Sequence, residues 1–130
     1  MTIRHFEELE IWQKARELCR KVRLIADTTL LSKDFGLKNQ ILDSSGSVMD
    51  NIVEGFERDG KKEFLNFLYY SKGSLGETRS QIHRTYDAQF IDEAKYKELP
   101  EDCFNLSGQI KGFINYLNRS DYPGHKKKQI

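Results

Sequence analysis

Between Ser44 and Gly76 the chain reads SSGSVMDNIVEGFERDGKKEFLNFLYYSKGSLG, and this stretch constrains the fold most. Two helical patterns meet in it across a short break at Asp59-Gly60. Both carry small residues where a helix normally carries large ones: Ser44, Ser45, Gly46, Ser47 and Gly55 before the break, then Ser71, Gly73, Ser74 and Gly76 after it. A glycine inside a helix costs about 1 kcal/mol relative to alanine. Four such glycines need compensation, and close approach of another backbone is the usual source. The stretch therefore predicts two long helices packed tightly against each other, with Asn51, Glu54 and Glu77 as the polar groups that set their register.

The flanking sequence extends the helical pattern. Leu9, Trp12, Ala15, Cys19, Val22 and Ile25 or Ala26 recur at threes and fours, one buried stripe widened by Leu18. A second helix is predicted from about Asp34 to Arg58, with Leu37, Ile41, Ser44 or Ser45, Val48, Ile52 and Gly55 or Phe56 inward. Ser32 and Asp34 are the candidate caps. A third runs from about Lys61 to Asp87, with Phe64, Phe67, Leu68, Ser71, Leu75, Thr78, Ile82 and Thr85 or Tyr86 inward. Leu65, Tyr69 and Tyr70 widen its apolar cover, as on a helix that buries a second face against another subunit. Asp92 caps a further stretch that Pro100 either kinks or divides. The last pattern holds Cys103, Leu106, Ile110, Phe113 or Ile114, and Leu117, and ends near Asn118. Short connections make consecutive helices antiparallel neighbours. The expected fold is all-α: an antiparallel up-down-up-down four-helix bundle over residues 1–120, followed by a basic, disordered tail over 121–130.

Composition bounds the function. The 130 residues carry 21 Lys and Arg against 20 Asp and Glu, a net charge of +1, which is not the signature of a strongly basic nucleic-acid binder. Cys19 and Cys103 stand apart, as free thiols in a reducing cytoplasm would. No run approaches the ~20 apolar residues of a membrane span, and no signal peptide follows the initial methionine. A di-metal site of the kind held in helical bundles needs Glu-x-x-His motifs. Thr2, Ser80 and Tyr122 stand three residues before His5, His83 and His125, so no such motif exists. KGSLG lies inside a helical pattern, where its amides are already bonded and cannot cradle phosphate. His83 and Asp87 share a helix face as a surface hydrogen-bonded pair. These readings give no catalytic set, no cofactor site and no metal site. The basic positions that remain are Lys14, Arg16, Arg20 and Lys21 on the first helix, and Arg79 and Arg84 on the third. They are either solvated faces or candidate contacts to the phosphates of RNA or DNA.

The run Ser47-Val48-Met49-Asp50-Asn51-Ile52-Val53-Glu54-Gly55-Phe56-Glu57-Arg58, then Glu63-Phe64, Phe67-Leu68, and Lys72-Gly73-Ser74-Leu75 with Glu77, resembles the 23S rRNA intervening-sequence family, also called S23. The opening Phe6-Glu7-Glu8-Leu9-Glu10-Ile11-Trp12 is similar to that family's F-x-x-L-x-V-W. The resemblance spans roughly residues 5 to 118. It implies a bacterial four-helix bundle that assembles as a homopentamer, related to accessory proteins of diversity-generating retroelements that bind nucleic acid and a reverse transcriptase. Leu42, Asp43 and Met49 depart from the family, in which basic residues and a proline are common there. Two functional expectations follow: a non-enzymatic, oligomeric, nucleic-acid-associated protein of the cytoplasm, or a scaffold for a protein partner that binds no nucleic acid.

Overall fold

In a computed structural model, which describes residues 2–122, the chain forms four α-helices: α1 Glu10–Thr28, α2 Phe35–Glu57, α3 Lys61–Asp87 and α4 Glu93–Arg119. Short 3-10 turns at Phe6–Glu8 and Leu30–Lys33 precede α1 and α2. No strand occurs among the described residues. The basic segment from His125 onward lies outside them.

The helices alternate in direction around a ring. Early α2 meets late α3 through Arg84 Nη1, which donates to Gln40 Oε1 at 2.7 Å, and late α2 meets early α3 where Gly55 faces Phe64 and Phe67. Lys72 Nζ donates to Ser107 Oγ at 2.8 Å, while His83 lies 2.8 Å from the Tyr96 hydroxyl, so α4 runs back along α3. Cys19 against Ser45 joins α1 to α2, and Lys21 against Asp102 closes α4 onto α1. The fold is the expected up-down-up-down bundle.

Two helix starts follow from a side-chain cap, whereas Leu9 before α1 and Gly60 before α3 make none. Asp34 Oδ1 accepts from the Leu37 amide at 3.1 Å and Asp92 Oδ1 from the Lys95 amide at 2.9 Å, so each satisfies an amide that a helix start leaves unpaired. Ahead of α1, Glu8 Oε2 accepts from the His5 and Arg4 amides at 2.8 and 3.2 Å, and these bonds hold its carboxyl below the usual range. Phe6 then packs edge-on to Trp12, 5.1 Å between ring centres.

The core departs from the sequence reading at particular positions. Both alternatives on α2 are buried: Ser44 with Ser45, and Gly55 with Phe56. On α1 the stripe turns toward Ile11, 5% exposed, leaving Trp12 half-buried. On α3, Gln81 joins the core and Phe67 only half enters it. Pro100 neither ends nor divides α4, which continues from Glu93 to Arg119. Proline removes one intrahelical bond, but the flanking Leu99 and Cys103 are both buried and hold the segment in place. Tyr122 lies beyond the expected domain end yet is 6% exposed and packs on Phe64, 6.1 Å between ring centres.

Two turns use left-handed backbone at residues other than glycine. At Asp59-Gly60 it is Asp59 that has φ 61°, while Gly60 is extended. After α3, Gln89 has φ 64°, with its amide donating to Tyr86 O at 2.8 Å and the Phe90 amide to Thr85 O at 3.1 Å. That is the two-bond helix ending in which glycine is favoured. Gln89→Gly should therefore raise stability by about 1 kcal/mol, since a side chain is disfavoured there by that order. Chemical denaturation checks it; a loss of stability would show that the Gln89 side chain holds the turn.

Candidate functional site

The six basic candidates occupy separate surfaces of the single chain. Arg16, Arg20 and Arg23 line the outward side of α1, spaced so that they share one helix face. The Arg16 guanidinium sits over the Trp12 ring at 5.6 Å, and Arg23 approaches Asp27 at 3.8 Å. Arg20 has no ion pair among the described residues. These side chains border a shallow groove of about 540 Å³ that also includes Cys19 and Leu24. Lys14 lies on the α4 side of the helix, 3.7 Å from Glu17.

Lys21 is not available as a phosphate contact. Its Nζ lies 2.8 Å from Asp102 Oδ2 and 2.8 Å from Glu98 Oε2, pinning α1 to α4. The bond to Asp102, then that to Glu98, raises the Lys21 pKa above the ordinary lysine value. Lys21 and, after it, Lys95 lower that of Glu98. An acidic partner on α4 was invisible in the α1 pattern, because it lies about eighty residues away. Arg84 is tied to Gln40 on α2, and Arg79 stands on the opposite side of α3, toward α4.

The helix register is set by residues other than those expected. Asn51 Nδ2 donates to Ser47 O at 2.9 Å within α2, and Glu54 pairs with Arg58 at 2.9 Å on the same helix. Glu77 and Gly73 are exposed. Asn51 and Glu54 sit at the rim of the seam, where their own helix already supplies partners. The interhelical bonds come from smaller, buried hydroxyls. Ser44 Oγ lies 2.8 Å from Thr78 Oγ1 and donates to Gln81 Oε1 at 2.6 Å. Ser71 Oγ donates to Val48 O at 2.8 Å, and the single Thr78 hydroxyl proton goes either to Ser44 Oγ across the seam or to Ser74 O within α3 at 3.0 Å. A buried hydroxyl without a partner costs about 1–3 kcal/mol, so only a narrow range of sliding keeps all of these satisfied. Thr78 and Gln81 are one turn apart, the spacing from which a shared partner on α2 is readable. Arg58 does cross to α3, with its guanidinium 5.2 Å from the Phe67 ring centre.

His83 turns to α4 rather than to Asp87. Its Nδ1 lies 2.8 Å from the Tyr96 hydroxyl, and Tyr96 stacks on Tyr86 with ring centres 3.8 Å apart. Both cysteines are free. Burial pushes the Cys103 thiol up to about 12, with the Asp102 charge adding to it and Arg79 opposing. Burial also raises Cys19, whose Sγ donates to Ser45 O at 3.0 Å. Neither is an activated thiol. Among the described residues no group of three or more His, Cys, Asp and Glu is placed to hold a metal ion, and no helix is long and apolar enough to cross a membrane. A polar cleft of about 180 Å³ between α1 and α4 has Lys21 and Asp102 in its wall, already paired with each other.

Residues 7–112 match the family described as 23S rRNA-intervening sequence protein. The chain belongs to that family. Among solved structures, it is similar to a protein of unknown function from the S23 ribosomal protein family of Bacteroides thetaiotaomicron, with a TM-score of 0.71 and 19% identity. The similarity covers 81% of this chain and 95% of that one, and it concerns the fold. A search among curated proteins finds no match. Within the matched range, Gly55 packs against Phe64 and Phe67 across the seam between α2 and α3, and Arg58 bridges it to Phe67. At the start of α1, Leu9 is 1% exposed and Phe6 braces Trp12.

Proposed function

We propose that this chain is a non-enzymatic, oligomeric bundle protein of the cytoplasm that associates with nucleic acid through phosphate contacts. The observation that carries the reading is the outward row Arg16, Arg20 and Arg23 on α1, in which Arg20 lacks a carboxylate partner among the described residues. With a net charge of +1, attraction to phosphates rests on such local rows rather than on the whole molecule. Assembly repeats the row around the oligomer, so weak contacts from each copy act together. The family resemblance favours five copies. The large apolar side chains Leu24, Leu30 and Phe35 are 56%, 65% and 71% exposed where α1 hands over to α2, and they supply a surface for such contacts.

Binding of a labelled ribosomal RNA fragment, followed by fluorescence anisotropy across a salt series, tests this. Affinity is expected to fall steeply with salt, and Arg16→Gln with Arg20→Gln to reduce the log–log slope by more than 1, at about 0.7–0.9 per phosphate contact. Absence of binding at low salt would overturn the reading. Light scattering checks the assembly, and a monomer at micromolar concentration would remove the oligomer from it. The exposed Leu24, Leu30 and Phe35 also favour a second reading, a scaffold for a protein partner. In that case a protein would be captured in pull-downs that leave RNA behind, and Phe35→Ser would abolish its capture.

A further inference from the structure

The seam between α3 and α4 brings together three cations that lack a carboxylate partner among the described residues, beside a cleft and two exposed aromatic rings. Lys14, Lys21, Arg23, Lys38, Arg58, Lys95 and Lys97 each lie within 4.0 Å of a carboxylate. Lys72, Arg79 and Lys111 have no such partner among the described residues. Intervals of three and four place Tyr69, Lys72, Gly76, Arg79 and His83 on one face of α3. From α4, Ser107 meets Lys72 at 2.8 Å, and the Lys111 ammonium lies 5.9 Å from the Tyr69 ring centre. Between Lys72 and Arg79 is a cleft of about 80 Å³, with Leu75, Gly76, Cys103 and Ser107 completing its lining. It contains no carboxylate. Asp102 is turned toward Lys21 on the α1 side, and Glu77 lies about 100° around α3 from Gly76.

The cleft has the features an oxyanion requires. Ser107 Oγ accepts from Lys72, which leaves its own O–H free to donate. A Cβ at Gly76 would meet nothing within 4 Å, so the space over the helix backbone is open. Lys72 and Arg79 are two turns apart, about 10 Å along the axis, and with Ser107 both line the cleft that lies between them. Flat apolar faces accompany the charges. Tyr69 is 48% exposed, and Phe104, one turn before Ser107, is 66% exposed. Cations interleaved with exposed aromatic rings are the chemistry that takes single strands, whose bases are free to stack.

We propose that the α3–α4 seam binds single-stranded nucleic acid, with a backbone phosphate held by Lys72, Arg79 and Ser107 and bases stacked on Tyr69 and Phe104. This rests on the nucleic-acid reading above and adds to it a location and a strandedness. The full chain is titrated into a short labelled single-stranded RNA and into the matching duplex. The variant Lys72→Gln/Arg79→Gln/Lys111→Gln is expected to weaken single-strand binding at least tenfold and to flatten the salt slope by about 2. The variant Tyr69→Ala/Phe104→Ala should lose about thirtyfold or more on the single strand and nothing on the duplex. All five side chains lie at the surface, so thermal melts should stay close to that of the parent protein. Single-strand binding that survives both seam variants but is lost in Arg16→Gln/Arg20→Gln overturns this site and leaves the broader reading standing. Failure of the parent protein to bind either RNA removes both. Equal loss on both RNAs from the aromatic variant overturns the stacking, and a changed mass by light scattering identifies the seam as a contact between copies instead.

Discussion

Phe64→Ala should cost about 3–5 kcal/mol of stability, the range for removing a fully buried aromatic side chain. Phe64 is 0% exposed and stands where three segments converge. Its ring meets Phe56 on α2 at 6.0 Å, Phe113 on α4 at 5.5 Å and Tyr122 beyond α4 at 6.1 Å, centre to centre. Truncation removes both the buried surface and the shared partner of those rings, and the three backbones around it cannot all close the gap. Denaturant unfolding at fixed protein concentration measures the effect, since an oligomer's stability depends on concentration. A loss below about 1 kcal/mol would mean that the site collapses freely, against the close-packed interior expected of a bundle.

Gly55→Ala should lose about 2 kcal/mol even though alanine is the better helix former by about 1 kcal/mol. A Cβ at Gly55 would stand 2.7 Å from Phe67 Cβ, 3.1 Å from Phe64 Cδ1 and 3.3 Å from Phe64 Cα. A ring can rotate away, but Phe67 Cβ and Phe64 Cα are fixed by the α3 backbone, so relief requires the helices to part. Gly46 and Gly73 provide the contrast, because a Cβ at either would meet nothing within 4 Å. Gly46→Ala and Gly73→Ala should each gain up to about 1 kcal/mol. The opposite signs are the readout. If all three substitutions stabilise, the α2–α3 seam is wider than the contact at Gly55 implies. If Gly73→Ala destabilises instead, another copy of the chain presses on that face.

These cases show how far the sequence could be read. The spacing of Leu37, Ile41, Val48 and Ile52, and of Phe64, Leu68, Leu75 and Ile82, placed two long helices and their inner faces correctly. Asp34 and Asp92 were readable as caps, because capping uses an amide only three residues away. The small residues of α2 and α3 pointed to a tight seam. They did not reveal which glycine was needed, because helical periodicity gives a direction around an axis and not the distance to the next helix. The six basic candidates formed a group only by residue type. Lys21 faces α4 from α1, Arg79 faces α4 from α3, and Arg84 faces α2.

By itself the sequence determined four helices, their buried stripes, the breaks between them and membership of the intervening-sequence family, because these depend on neighbours within a turn or two of the chain. Tertiary structure alone decided that Ser44, Thr78, Gln81 and Ser71 set the register rather than Asn51, Glu54 and Glu77. It also decided that Lys21 is spent on Asp102 and Glu98, and that Lys72 and Arg79 line a cleft between α3 and α4 whose walls hold no carboxylate. The physical reason is the same in each case. Whether a polar group is paired, buried or free depends on what the antiparallel neighbour places opposite it, and that neighbour lies tens of residues away.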